Sequence, residues 1–136
     1  MKPPDEVKRE FVRQWLTKAE DDLAAAQDML RGNKPYRWIV CYHAQQAAEK
    51  YIKACLVHRG TEPPRLHDLA ELLRVLASKD RALADRLHEA RTLSAYAVEA
   101  RYPGDAPSPT HEDAHEAVRP AAKVREAVLA ALREAT

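Results

Sequence analysis

Glycine and proline interrupt this chain at only a few places. The glycines are Gly32, Gly60 and Gly104, and the prolines lie near them or at the N-terminus, with the exception of Pro120. Because both residue types end helices or form turns, they divide the chain into four segments, at about 5–31, 35–59, 66–102 and 110–135. Alanine is abundant and aromatic residues make up only 6%, which favours packed helices over sheet. We predict an all-α fold in which sequential helices pack antiparallel, because the joints are short.

Composition limits the classes of function. The 136 residues give room for a single domain spanning 1–136 with a real core. The net charge is +1, so no bulk charge favours nucleic acid or a membrane surface. There is no run of about 18 apolar residues that would span a bilayer and no apolar signal core at the N-terminus, so we expect a cytoplasmic protein. Cys41 and Cys55 fall in one predicted helix, too far apart to bridge, and are expected to be reduced and buried.

The segment 36–59 is predicted to be the central helix, with two different faces. Its apolar face consists of Val40, Ala44, Ala47, Ala48, Tyr51, Ala54 and Cys55. A polar stripe on the opposite face consists of Tyr42, His43, Gln46, Glu49, Lys50 and Lys53. Residues at i, i+3, i+4 and i+7 are neighbours on a helix, so this stripe is continuous. It is either a solvated outer face, which is the default interpretation, or the lining of a site.

The remaining segments have helical periodicity of their own. The first carries a predicted buried stripe that begins at Phe11, and its Asp22 is either a boundary residue or faces the polar stripe. The third segment is predicted to break at 78–80, with Asp80 as a helix N-cap, into helices over 66–77 and 81–102. The expected buried residues are Trp15, Leu23, Ala44, Ala47, Tyr51, Cys55, Leu69, Leu73, Leu93 and Leu129.

The last segment has a start signal and an internal break signal. Thr110 and Asp113 are spaced as in a capping box, with Asp in place of the usual Glu. Pro120 removes a backbone hydrogen bond inside the apolar pattern, which predicts a kink or a helix restart near 119. His111 and His115 at i, i+4 have the spacing of a metal pair, but there is no evident third ligand, so no metal and no cofactor are predicted. His67 either caps the short helix or points at the polar stripe.

Three stretches in order resemble the HEPN family of small helical domains. They are WLTKAEDDLAAA at 15–26, CYHAQQAAEKYIKACL at 41–56 followed by LHDLAELL at 66–73, and YAVEARYPGD at 96–105. The resemblance covers nearly the whole chain. It implies an up-and-down bundle of four to five helices that is commonly a homodimer. It also implies a role with nucleotides or RNA, often beside a small nucleotidyltransferase encoded as a separate chain.

Ribonuclease members of the family carry Arg, four to six residues, then His before the last helix. Two literal matches, Arg37 to His43 and Arg81 to His88, lie elsewhere in the chain, and chance alone gives about two. At the expected place, Arg101 is followed by His111 only after a longer interval that contains three prolines, and no companion tyrosine follows. This departure favours a binding domain that is not itself an enzyme. The alternatives are a metal-independent ribonuclease toxin using Arg101 and His111, or a purely structural dimerising bundle.

If the domain binds a nucleotide, the polar stripe is the predicted site. Lys50 and Lys53 would supply positive charge to phosphates. Gln46 and Glu49 would contact a base edge or ribose, Tyr42 would stack on the base, and Arg101 and His67 would approach from other segments. Since exposed charges contribute little to folding, replacing both lysines with alanine is expected to leave stability nearly unchanged. An aromatic group at Trp38, Tyr96 and Tyr102 adds weakly to the expectation of a homodimer.

Overall fold

The computed structural model describes residues 4–32, 36–96 and 108–134, which contain only helices and their connections. The α-helices are α1 Pro4–Arg31, α2 Arg37–His58, α3 Leu69–Ala77, α4 Arg81–Arg86 and α5 His111–Glu134, and a 3₁₀-helix spans His88–Tyr96. The predicted all-α helical bundle is confirmed. Across these ranges no helix combines the length and the apolar character needed to cross a bilayer.

Helix α2 is the centre of the bundle and contacts α1, α3, α5 and the 3₁₀-helix. Its predicted apolar face is fully buried, and Ala44, Ala47 and Ala48 are small enough to let the neighbouring helices approach closely. The opposite face is not solvated, because Gln46, Glu49 and Lys53 are also buried. The default prediction of a solvated outer face is therefore wrong. Helix α1 and the chain around His67 cover this face, through Asp22 on one side and His67 on the other.

The N-terminal half of α1 is less buried than its apolar pattern predicts. Ala19, Leu23 and Ala26 lie in the core. Trp15 is only partly buried, and Phe11 is 51% exposed. The prediction that Phe11 belongs to the buried stripe is therefore wrong. The first turns of α1 line a cavity together with residues 60–65 and the end of α2.

The predicted break at 78–80 is confirmed, and so is the Asp80 N-cap, since the backbone N–H of Leu83 donates to Asp80 Oδ1 over 3.1 Å. The predicted helix over 81–102 is instead the short α4 followed by the 3₁₀-helix. Leu87, Ala90 and Leu93 are buried and spaced by three residues. A 3₁₀-helix has three residues per turn, so it keeps all of them on one face. Residues 97–107 lie outside the described ranges.

Helix α5 begins at the predicted capping box. The backbone N–H of Thr110 donates to Asp113 Oδ2 over 2.8 Å, and that of Asp113 donates to Thr110 Oγ1 over 3.0 Å. The two bonds satisfy donors that would otherwise be free at the helix start. The helix continues through Pro120 to Glu134, which excludes a restart near 119, while a kink there, the other predicted outcome, stays a prediction. Pro120 is buried, and Ala121, Val124 and Val128 complete the face that packs on α2.

Candidate functional site

The Glu49 carboxylate is the centre of a buried polar network on α2. Lys53 Nζ donates to Glu49 Oε2 over 3.2 Å, and Gln45 Nε2 donates to Glu49 Oε1 over 3.3 Å. His67 Nδ1 lies 2.9 Å from Glu49 Oε1, so His67 points at the polar stripe, which is one of its two predicted roles. The side chains of Glu49 and Lys53 are almost fully buried. Burial of two opposite charges is tolerable here because they are paired and hydrogen-bonded.

Further hydrogen bonds close this network. Gln46 Nε2 donates to Gln45 Oε1 over 2.7 Å, and Gln45 Nε2 also donates to the backbone carbonyl of His67 over 2.9 Å. In the part of the chain that the structure describes, every buried side-chain nitrogen and oxygen has a hydrogen-bond partner. The network therefore holds the segment around His67 against α2, and its own groups already satisfy one another.

A second polar group joins α1 to α2. His43 Nδ1 lies 2.8 Å from Asp22 Oδ1, and Lys50 Nζ donates to Asp22 Oδ2. Asp22 thus faces the polar stripe rather than solvent, which decides between its two predicted positions. The ring of Tyr42 packs edge-on to His43, with ring centroids 5.7 Å apart. The charge of Lys50 is consequently neutralised within the bundle.

A cavity of about 1080 Å³, which we call the α1 cavity, opens between the start of α1, the end of α2 and residues 60–67. Its lining consists of Pro4, Val7, Lys8, Phe11, Trp15, Lys53, Val57, Gly60, Thr61, Glu62, Pro63, Pro64, Arg65 and His67. Gly60 has a φ of 78°, a left-handed conformation that glycine adopts without steric cost. This turn redirects the chain after α2, and residues 61–65 line the cavity together with the first turns of α1.

The lining of the α1 cavity is mostly apolar and includes charged side chains that differ in burial. Lys53 is the most buried lining residue, and its Nζ lies 5.4 Å from the centroid of the Trp15 ring, within the range of a cation–π contact. Lys8 is partly buried and Arg65 is exposed. Neither forms an ion pair with another described residue. Glu62 is the acidic residue of the lining.

The predicted site residues are divided among several places. Lys53 and His67 line the α1 cavity, and Glu49 contacts both of them. Tyr42, Gln46 and Lys50 do not line it. His111 is exposed at the start of α5, where its Nε2 lies 3.1 Å from that of His115. Arg101 lies outside the described residues.

Sequence reasoning missed several residues of the α1 cavity. Phe11 follows the apolar pattern of α1, which predicts a position in the core. Lys8 and Arg65 have no sequence feature that distinguishes them from other cationic residues on the surface. Gly60, Pro63 and Pro64 predict a loop after the central helix, but they do not predict that this loop lines a cavity with α1. Among the described residues, no three His, Cys, Asp or Glu side chains are placed to hold a metal ion.

Comparison with known proteins matches this chain to a domain family and to a solved structure. A family model described as the HEPN domain matches residues 12–132. The crystal structure of TT1696 from Thermus thermophilus is similar over 86% of this chain and 94% of that chain, with 30% sequence identity and a TM-score of 0.68. Comparison with curated proteins gives no significant match. The range matched by the family model includes Trp15, Lys53 and His67 and begins just after Phe11.

Proposed function

The chain belongs to the HEPN family, and on that premise we propose that it is a nucleotide-binding component without catalysis of its own. The α1 cavity is the binding site in this proposal. The observation that carries it is the combination of exposed aromatic surface at Phe11 and Trp15 with the cations Lys8 and Arg65, which have no ion-pair partner among the described residues. Both features suit a nucleotide, because a base can stack on aromatic rings and a phosphate pairs well with positive charge.

The size of the α1 cavity fits a ligand of this class. Its volume of about 1080 Å³ lies slightly above the roughly 300–1,000 Å³ of small-molecule sites, which are mostly apolar with a few polar groups that fix orientation. An exposed phenylalanine in a concave apolar surface is stronger evidence for a binding site than an isolated exposed apolar residue elsewhere. The same geometry is less suited to duplex nucleic acid, which needs an extended basic surface.

The polar stripe supports this site in a different way from the one the sequence predicts. Lys50 is paired with Asp22, and Lys53 is paired with Glu49. A phosphate that took over either lysine would leave a buried or half-buried carboxylate without its partner, which is costly. We therefore propose that Lys8 and Arg65 bind the anionic part of the ligand. Glu49 and Gln45 position the side chains of His67 and Lys53.

Titration calorimetry with nucleotides of all four bases tests the proposal. The wild type should bind, and Phe11→Ala should weaken binding about tenfold, because stacking on one aromatic ring contributes about 1–3 kcal/mol. Ile39→Ala is the matched control, since Ile39 is also an exposed apolar residue and does not line the α1 cavity. Absence of binding by the wild type, or an equal loss in both variants, would remove the α1 cavity as a nucleotide site.

The protein partners of this component are part of the same proposal. We place the chain in the cytoplasm, as a homodimer that acts with a separately encoded minimal nucleotidyltransferase. The support is the family membership and the departure from the ribonuclease motif around Arg101. Co-expression with a nucleotidyltransferase encoded beside it, followed by co-purification, tests the partnership.

A nuclease assay tests the alternative of a ribonuclease toxin. RNA cleavage by the wild type that is lost in His111→Ala, with metal chelated, would establish that alternative instead of a binding component. His88→Ala is the matched control, because His88 is also an exposed histidine and lies in the 3₁₀-helix, away from the start of α5. We expect no cleavage by any of the three proteins.

A further inference from the structure

The charges of the α1 cavity are arranged in a way that specifies both the orientation and the class of its ligand. We infer that the ligand carries one uncharged aromatic ring and one phosphate. The ring lies against Trp15 and Phe11, toward the buried Lys53, which we call the inner end, and the phosphate contacts Lys8 and Arg65, which we call the outer end. The ligand class is a nucleoside monophosphate, either free or as the phosphorylated end of a single-stranded RNA. This inference rests on the proposed function for the identity of the ring as a nucleobase.

The inner end of the cavity is electrically balanced. Lys53 is only 6% exposed and its ammonium is paired with Glu49 over 3.2 Å. A phosphate placed here would lose its hydration and would meet the Glu49 carboxylate as well as the lysine. A neutral ring meets no such cost. Lysine has three N–H donors, and one hydrogen bond joins Lys53 to Glu49, so a nitrogen or carbonyl of a ligand ring beside Trp15 can accept a hydrogen bond from Lys53.

The outer end carries the excess of positive charge. Lys8 and Arg65 are two cations without an ion pair among the described residues, and Glu62 is one acid on the same lining, which leaves a net charge of one positive unit. Arg65 is exposed, so a phosphate that it contacts keeps part of its hydration. A guanidinium and an ammonium together suit the oxygens of a phosphate. An excess of one charge matches a monophosphate better than the larger negative charge of a triphosphate.

Trp15 provides a direct reporter of ring binding. The chain contains two tryptophans, and Trp38 lies in an edge-on contact with Tyr96 away from the cavity lining. A Trp38→Phe variant therefore leaves Trp15 as the single tryptophan. Adenosine and adenosine monophosphate should both quench it, and inorganic phosphate alone should not. The monophosphate should bind about tenfold more tightly than adenosine, because charge-assisted hydrogen bonds contribute more than neutral ones. The triphosphate should bind no more tightly than the monophosphate.

Variants of the outer end separate the phosphate contact from the ring contact. Combined Lys8→Ala and Arg65→Ala should reduce the affinity for adenosine monophosphate to that for adenosine, without changing the affinity for adenosine. Glu62→Gln should tighten binding of the monophosphate alone, because it removes the acid near the phosphate. Arg81→Ala is the matched control, since Arg81 is an exposed arginine on α4 outside the lining. Calorimetry on the same changes in the Trp38-containing chain checks that the Trp38→Phe background does not affect the result.

Three results decide the inference. Equal affinity for adenosine and its monophosphate, or an equal loss of both in the Lys8 and Arg65 variant, would overturn the inferred orientation while leaving the proposed function in place. Absence of binding by every nucleoside and nucleotide would overturn the proposed function as well. The last comparison uses a short RNA in its 5′-phosphorylated and 5′-hydroxyl forms. If the phosphorylated RNA binds more tightly than both the hydroxyl form and free adenosine monophosphate, the orientation is supported and the ligand is the end of an RNA.

Discussion

Lys53 places an ammonium group in the interior of the bundle, where only 6% of the residue is exposed. Its partner Glu49 is 2% exposed and has Gln45 and His67 as its remaining neighbours. Removing the lysine would leave a buried carboxylate without its counter-charge, which typically costs about 3–5 kcal/mol. We therefore expect Lys53→Ala to lower the free energy of unfolding by about this amount in urea denaturation. This replaces the expectation, drawn from the polar stripe alone, that both lysines can be removed at little cost.

Two further variants show whether the cost comes from the unpaired carboxylate. Combined Glu49→Gln and Lys53→Met removes both charges and should recover most of the lost stability, because a buried pair contributes little over neutral residues of similar size. Lys79→Ala removes an exposed lysine and should change stability by less than about 0.5 kcal/mol. A Lys53→Ala protein as stable as the Lys79→Ala protein would contradict the burial of this pair.

The two cysteines are chemically protected by their positions in α2. Burial raises the pKa of Cys41 to about 11 and that of Cys55 to about 12. Because the thiolate is the reactive form, both thiols should resist Ellman's reagent at about pH 8 in the native protein and react fully in denaturant. Fast reaction of the folded protein would show that α2 is more accessible than its packing indicates.

At the scale of elements, Glu20 joins α1, α2 and α5. Arg125 Nε of α5 donates to Glu20 Oε1 over 2.6 Å, and the Tyr51 hydroxyl of α2 donates to the same oxygen. Burial acts to raise the pKa of Glu20, but these hydrogen bonds and the charge of Arg125 lower it below its ordinary value of 4.5. Burial and the nearby carboxylate also raise the pKa of Tyr51, so the hydroxyl remains protonated and continues to donate.

A lowered folded pKa makes the contribution of Glu20 dependent on pH in a definite direction. The stabilisation is fully present above the unfolded pKa and is lost as the pH falls through the lower folded value. We expect the free energy of unfolding in urea to fall more for the wild type than for Glu20→Gln when the pH is lowered from neutral to about 3. Glu116→Gln, on the exposed side of α5, is the control and should follow the wild type. Parallel losses in wild type and Glu20→Gln would contradict the role of this carboxylate.

Local signals were sufficient to predict the helix boundaries at Asp80 and Thr110. A cap depends on a side chain and a backbone N–H two or three residues away, and both are visible in the sequence. The burial of the polar stripe was not predictable in this way. It depends on Asp22 and His67, which lie in other segments, and an isolated helix with these residues has the pattern of a solvated face. The 3₁₀-helix was missed because its three-residue spacing is short and also fits an α-helical face.

At the scale of the whole molecule, the α1 cavity exists because two segments approach each other without filling the space between them. Sequence reasoning identified Lys53 and His67 because they belong to, or lie next to, the central helix. It assigned Phe11 to the core because an apolar residue at helical spacing is buried in most helices. Whether such a residue meets another helix or an open space depends on where residues 60–65 pass, and that is decided by the turn at Gly60.

Exposed apolar residues at the start of α2 indicate where the expected homodimer contact lies. Tyr36 is 59% exposed and Ile39 is 39% exposed, and the adjacent Trp38 packs edge-on against Tyr96 with ring centroids 5.9 Å apart. Tyr102, the third member of the predicted aromatic group, lies outside the described residues. An exposed aromatic and aliphatic patch of this kind is typical of protein interfaces. We therefore predict that the chain dimerises through this end of α2.

Light scattering at micromolar concentration should give a mass near twice that of the 15.4 kDa chain. Combined Tyr36→Glu and Ile39→Glu should shift the mass to that of one chain, because two charges in the contact would have to be desolvated on association. Phe11→Glu is the matched control, since it introduces the same charge at an exposed apolar residue of the α1 cavity, and it should remain dimeric. A wild-type mass near 15.4 kDa would contradict the dimer. A double variant that stays dimeric would place the interface on another face of the bundle.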